Sequence, residues 1–379
     1  MPSAADRHTA WLESLSPWPE EFGLGRMREL LASLGNPEKA LRAIHVVGTN
    51  GKTTTVRMLE AVLQAEGLRV GAYTSPHVTG WAERIRVDGA EADVEGALAR
   101  VRPAAERLGA TQFEALTAAA LAEFAAAEVD VAVVEAGLGG RHDATNVLAA
   151  PVVVLTNVAL EHTDVLGDTR EAIAGEKLAV VSSGASVVLG EAEWREAARA
   201  AGANTVVVTG SSNLALALAA AETFLGRVVD PTPAGAVVVP GRLERVSESP
   251  LEIWDGAHNL AGVAFVLARL PRADYVVVGS ILEDKDARGM LAALSVLGGH
   301  LLATASSNPR ALPAADLARL AEPYFARVES VDEPVEAVSR ARAAAGAEGA
   351  VLVTGSLYLL AELAAARPLR LPWQASASG

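Results

Sequence analysis

Apolar positions along the chain fall into two recurring patterns. Short, nearly unbroken runs of β-branched residues alternate with longer stretches whose apolar residues recur at helical spacing. The first run, Ile44 to Val47, passes through Gly48-Thr49-Asn50-Gly51 into Val56, Leu59, Val62 and Leu63, which mark one face of a helix. Gly67 reads as its C-cap and Arg69 to Tyr73 as the next strand. Arg84 to Val87 is a short alternating piece. Thr111 caps an alanine-rich helix over Phe113 to Ala127, with Glu114 in its first turn. Val129 to Ala136 and Pro151 to Val158 are apolar runs suited to parallel strands buried on both faces. Helices follow from about Thr169 and over Asn213 to Leu225.

Upstream, Ala10 to Ala43 reads as amphipathic helix broken at Gly35-Asn36-Pro37. Downstream, Pro231-Thr232-Pro233 and Pro240-Gly241 punctuate the chain, and the alternation then restarts. Strands are expected at Leu251 to Trp254, Tyr275 to Val278, Leu301 to Ala303 and Ala350 to Val353, with helices from Asn259, Asp286 and Pro313. The pattern predicts an α/β protein of two domains. Residues 1–240 form a P-loop-like doubly wound, mostly parallel sheet with a helical lead-in, and residues 241–379 a smaller, Rossmann-like α/β domain. A length of 379 residues agrees with two cores rather than one.

The charge balance is 32 − 46 = −14 and no lysine- or arginine-rich block occurs, so no nucleic-acid partner is expected. With no cysteine, disulfides and thiolate chemistry are excluded. The polar start, Met1 to His8, carries no apolar signal core, and no run has membrane-spanning length; a cytoplasmic location with no membrane partner is expected. The tail after Ala375 is expected to be disordered.

Ligands of such sheets bind at the carboxyl ends of the strands, and polar residues gather there. A strand that ends in a glycine turn and feeds a helix aims backbone N–H groups and a positive helix end at one point, which suits phosphate. In Gly48-Thr49-Asn50-Gly51-Lys52, Lys52 adds a mobile charge, and Thr53 or Thr54 has a hydroxyl for magnesium. A tight turn beside an exposed lysine is the plainer alternative, since the usual phosphate-loop spacing would need glycine at Val46. Glu135 ends an apolar strand, where a carboxylate either caps the next turn or binds metal. His162 follows the next strand and is either a satisfied core or surface residue or a site residue. Ser75 sits in a Ser-Pro turn, and Lys177 reads as a solvated helix lysine. Asp255-Gly256-Ala257-His258-Asn259 is either a helix N-cap turn or a nucleoside-binding turn.

The ordered set of motifs resembles the Mur-ligase superfamily of ATP-dependent amide ligases, and within it the folylpolyglutamate synthase/dihydrofolate synthase branch. The resemblance rests on Gly48 to Lys52, Thr74-Ser75-Pro76-His77 with Glu83-Arg84-Ile85, Phe113-Glu114 with Thr117, and Glu135 to Arg141 with Asp143-Ala144-Thr145-Asn146. Pro240-Gly241-Arg242, Asp255 to Asn259, Asp284-Lys285-Asp286 and Ser307-Asn308-Pro309-Arg310 complete it. It implies that Lys52 and the loop amides of Gly48, Thr49, Asn50 and Gly51 hold the phosphates of ATP. It also implies that Thr53 or Thr54, Ser75 and Glu135 bind one Mg2+, and that His162 helps bind a second. Lys177 matches a family lysine carbamylated by carbon dioxide; Asn213 and the turn holding Asp255, His258 and Asn259 contact the nucleoside, and Arg242 the terminal phosphate. Three departures from the branch stand out: Lys52-Thr53-Thr54 in place of Lys-Gly-Ser, Glu161 in place of aspartate before the histidine, and Leu178-Ala179-Val180 after Lys177.

The implied reaction activates a folate or dihydropteroate carboxylate as an acyl phosphate, which the amine of L-glutamate then attacks. No covalent nucleophile on the protein is required, in keeping with the missing cysteine. A monomer is expected. The alternatives are a UDP-muramoyl amino-acid ligase, which would need a UDP-binding domain of about a hundred residues ahead of the phosphate loop, and an ATP-binding switch without ligase activity.

Overall fold

The computed structural model describes residues 7–19 and 21–367. The chain divides after Val239 into two compact units. The tail after Ala375 and the first six residues lie outside the described residues.

The first unit is built on eight strands: β1 (Ala43–Val47), β2 (Val70–Tyr73), β3 (Ile85–Val87), β4 (Ala90–Glu91), β5 (Val131–Glu135), β6 (Val152–Leu155), β7 (Ser186–Leu189) and β8 (Thr205–Val208). Their order across the sheet is β4-β3-β2-β5-β1-β6-β7-β8. The six strands from β2 to β8 in that order are parallel, and β3 and β4 are antiparallel at one edge. Side chains along β1 alternate between two apolar layers, Ala43 and Val47 packing on one and Ile44 and Val46 on the other. The second layer includes the helices Lys52–Ala65 and Asn213–Leu225 and the first includes Val94–Leu108 and Gln112–Ala126. That is the doubly wound arrangement expected of the apolar runs.

The second unit carries β9 (Glu244–Glu248), β10 (Leu251–Trp254), β11 (Tyr275–Gly279), β12 (His300–Ala303), β13 (Arg327–Ser330) and β14 (Ala350–Thr354). They form one sheet in the order β13-β12-β11-β14-β10-β9, parallel except for the edge strand β9. A third apolar core, centred on Tyr275, Val277, Leu301 and Leu352, fills this unit.

Several expectations need correction. The lead-in is two helices, Arg7–Ser14 and Gly25–Ser33, followed by a single 3-10 turn at Pro37–Ala40. Pro17 and Pro19 interrupt it as well as Gly35-Asn36-Pro37, because proline lacks the N–H a helix interior needs. The runs from Val129 and Pro151 are longer than their strands, which stop at Glu135 and Leu155 where the chain turns into the site. Strands β4, β7, β8, β9 and β13 were not expected. β8, β9 and β13 are sheet edges whose residues are only half-buried or exposed, so they lack the unbroken apolar run. The cap of Gln112–Ala126 is the expected one: Thr111 and Glu114 bond each other's backbone N–H in a capping box.

Candidate active site

The order of the sheet places the ends of β5, β1 and β6 side by side, and the loop after each is polar. After β1, Gly48 has φ +147° and Gly51 φ +83°, both in the region that favours glycine. Space is as restrictive as φ. A Cβ on Gly48 would collide with Thr156 Oγ1, and one on Gly51 with Asn213 Oδ1. Asn213, the first residue of its helix, is thereby brought against the loop from more than 160 residues away, although spacing alone gave it no role.

The loop is pinned from β6. Thr49 N–H donates to the Asn157 carbonyl at 2.9 Å, Asn50 N–H to Asn157 Oδ1 at 3.0 Å, and Thr156 Oγ1 to the Asn50 carbonyl at 2.7 Å. Thr156 and Asn157 were not singled out in the sequence; the signal was two polar residues ending the run Val152 to Leu155. Lys52 Nζ folds back onto the Thr49 carbonyl at 3.2 Å.

Glu135, at the end of β5 and 1 % exposed, is the hub. Its Oε1 accepts from Thr53 Oγ1 at 3.1 Å and its Oε2 from Ser75 N–H at 3.1 Å. Three groups from separate stretches meet there. Of the two threonines considered, Thr53 is the one against Glu135. Among the described residues no three His, Asp or Glu side chains gather as a cage of their own. The Glu135 carboxylate and the Thr53 hydroxyl on it are hard oxygens of the kind magnesium takes as one or two of its ligands, leaving the rest to water and phosphate; Ser75 meets the same carboxylate through its backbone N–H.

Lys177, expected to be solvated unless the resemblance held, is 4 % exposed. Its Nζ donates to the Gly48 carbonyl at 2.9 Å. Burial, and then the Lys52 charge, draw its amine down to about 7, while Glu161 and Asp143 pull the other way. His162 adopts φ +52° ahead of the short helix Thr163–Leu166.

Beside this cluster opens a cavity of about 340 Å³. Ser75, Arg84 and His162 line it together with Trp18, Phe22 and Phe113. Trp18 and Phe22 keep about half their surface open, 52 % and 48 %. An aromatic wall of this kind suits a flat, conjugated molecule. Asp143, also in the lining, accepts from Leu138 N–H at 2.8 Å and from the hydroxyl of Thr145; burial raises its pKa. Behind it, His45 Nε2 lies 2.8 Å from Thr145 Oγ1, and burial lowers the imidazole to about 4.

In the second unit, Asp255, Arg242 and His258 cluster around Gly256. Asp255 accepts from Leu243 N–H at 2.8 Å and Ala257 N–H at 2.9 Å, and His258 Nδ1 lies 2.8 Å from the Gly256 carbonyl. Burial raises the Asp255 pKa and the Arg242 charge opposes that. Asn259 Oδ1 accepts from Gly262 N–H at 2.7 Å as the N-cap of Leu260–Leu267. The capping alternative for this turn is therefore realised, and the two Asp255 oxygens brace neighbouring loops.

Two family models match the chain: the Mur ligase middle domain over residues 46–230 and the Mur ligase glutamate ligase domain over residues 241–357. The chain is 34% identical to the Escherichia coli dihydrofolate synthase/folylpolyglutamate synthase, over 96% of this chain and 96% of that protein. It is 31% identical to the Bacillus subtilis protein of the same name, over 93% and 97%. The chain belongs to the dihydrofolate synthase/folylpolyglutamate synthase family of Mur ligases. Solved family members superpose along its length. The Mycobacterium tuberculosis folylpolyglutamate synthase complexed with ADP has a TM-score of 0.87 and 31% identity, covering 97% of this chain and 99% of that one. The Yersinia pestis bifunctional enzyme complexed with AMPPNP and Mn gives 0.86 and 31%, with 97% and 99% covered. The fold and family expectations hold, and no helix among the described residues is long and apolar enough to cross a membrane.

Proposed function

We propose that this chain uses ATP to join L-glutamate to the carboxylate of a dihydropteroate or folate, as the names of its family relatives describe. The observation that carries the reading is Glu135, which holds Thr53 of the phosphate loop on one oxygen and Ser75 of the cavity wall on the other. Phosphate and acid sites are thus adjacent, which is what forming an acyl phosphate requires.

In this reading Gly48, Thr49, Asn50 and Gly51 present backbone to the ATP phosphates, Lys52 swings from the Thr49 carbonyl to their charge, and Asn213 borders the loop. Thr53, Ser75 and Glu135 would hold a magnesium ion, and His162 would contribute to a second. Magnesium bound there would neutralise phosphate charge as the acid attacks. Lys177, drawn to about 7, has a neutral amine available to take up carbon dioxide as a carbamate, with loss of one proton. Arg242, Asp255, His258 and Asn259 are the second unit's candidates for nucleotide contact. The protein would act as a monomer in the cytoplasm, with no nucleic-acid or membrane partner.

The test is ADP release by the purified protein. Release that needs both a pteroate or folate and L-glutamate supports the reading; release without glutamate overturns it.

A further inference from the structure

One cluster on the cavity wall has no part in the scheme above. Arg84 ends the 3-10 turn Trp81–Arg84 and lines the cavity. Its Nε–H donates to His77 Nδ1 at 2.9 Å, and its guanidinium carbon lies 4.6 Å from the centroid of the Trp81 ring. His77 meets Trp81 edge-on, with centroids 4.6 Å apart. A guanidinium is always a donor, so His77 must accept at Nδ1 and carry its proton at Nε2. The arginine is therefore held at Nε by an imidazole and over the ring of an indole.

Two further observations give the grip a purpose. Among the described residues lining the cavity, Arg84 is the only arginine or lysine. Arg84 also stands at the phosphate-loop end. Its carbonyl accepts from Thr74 N–H at 3.0 Å, one residue before Ser75 and its contact with Glu135. A carboxylate held by a guanidinium fork has its lone pairs engaged, so the fork suits an acid group beside the reacting one rather than the nucleophile itself.

We propose that Arg84 binds the non-reacting α-carboxylate of a glutamylated folate, with His77 and Trp81 as positioning residues that aim it. Arg84 then distinguishes substrates that already carry a glutamate from those that do not. The proposal rests on a folate occupying the cavity.

The test compares binding of folic acid and of its α-carboxamide, which lacks only that charge, by titration calorimetry in the presence of ADP. The wild type should prefer folic acid by about tenfold or more, the worth of one charge-assisted pair. Arg84→Gln should bind the two alike, and Arg84→Lys, with the charge but no fork, should fall between. His77→Gln, whose carboxamide oxygen can accept the same N–H, should keep more of the preference than His77→Ala. Unchanged ADP affinity and thermal midpoint show that each variant is folded. An equal preference in wild type and Arg84→Gln overturns the assignment of Arg84. Failure of the wild type to bind either compound overturns the folate reading and this inference with it.

Discussion

Lys177 Nζ donates to the carbonyl of Gly48 at 2.9 Å, tying a helix lysine to the first glycine of a loop 129 residues earlier. An ammonium that had stayed in water would titrate near 10.5; here burial and Lys52 bring it to about 7. About half of the amine is neutral at neutral pH, against roughly one part in a few thousand for a free lysine.

That neutral fraction leads to the first prediction. Protein equilibrated with 13C-bicarbonate should show one carbamate carbon signal that Lys177→Arg lacks. Ligase activity should fall on stripping carbon dioxide and return on its replacement. Protonation opposes the carbamate, so signal and activity should both decline as pH is lowered from 8 to 6. A carbamate signal that persists in Lys177→Arg would rule out this site.

Thr53 and Thr54 are chemically alike, but it is the Thr53 hydroxyl that donates to Glu135, at 3.1 Å. Thr53→Val should lower ADP release by about a hundredfold, the usual scale for a group acting on transferring phosphate. Thr54→Val should leave it within about threefold. Glu135→Gln, which keeps the shape and drops the charge, should raise the magnesium concentration needed for half-maximal rate. Magnesium titrations of the three variants decide this.

Gly48 combines φ +147° with Thr156 Oγ1 in the space a Cβ would fill. Gly48→Ala should cost about 2 kcal/mol of stability from backbone strain and displacement of Thr156. It should also weaken ADP binding. Urea melts and calorimetry measure the two effects, and a stable variant with wild-type ADP affinity would contradict this account of the loop.

His45 provides a pH dependence. Its folded pKa, about 4, lies below the ordinary imidazole value of 6.5. Between those values the unfolded chain binds the proton and the folded chain does not, so stability rises with pH across that window and is lost as pH falls. The loss should reach about 3 kcal/mol once pH passes below 4. His45→Gln, which can still donate to Thr145, should show a shallower slope between pH 6.5 and 4 in urea melts. An unchanged slope would assign the acid sensitivity to other groups.

The sequence by itself determined what depends on near neighbours. The run Ile44 to Val47, the glycine turn and the helix face from Val56 are local features, and so is the Thr111–Glu114 capping box. Their physics acts over a few residues, so periodicity and turn chemistry were enough to read them, and the order of motifs was enough to indicate the family. The edge strands β8, β9 and β13 were missed because a half-exposed strand does not need an apolar run. Asp255 and Asn259 could not be assigned between capping and binding, because both uses require the same short polar residues at a helix start.

Only the tertiary structure decided which of these residues meet. Glu135 reaches Thr53 across 82 residues, His45 reaches Thr145 across 100, and Lys177 reaches Gly48 across 129. Those meetings follow from β5 and β6 flanking β1, an order fixed by how whole helices and strands pack and not by any local pattern. The same packing removes water from Lys177 and His45, and desolvation, which no sequence window contains, is what changes their chemistry.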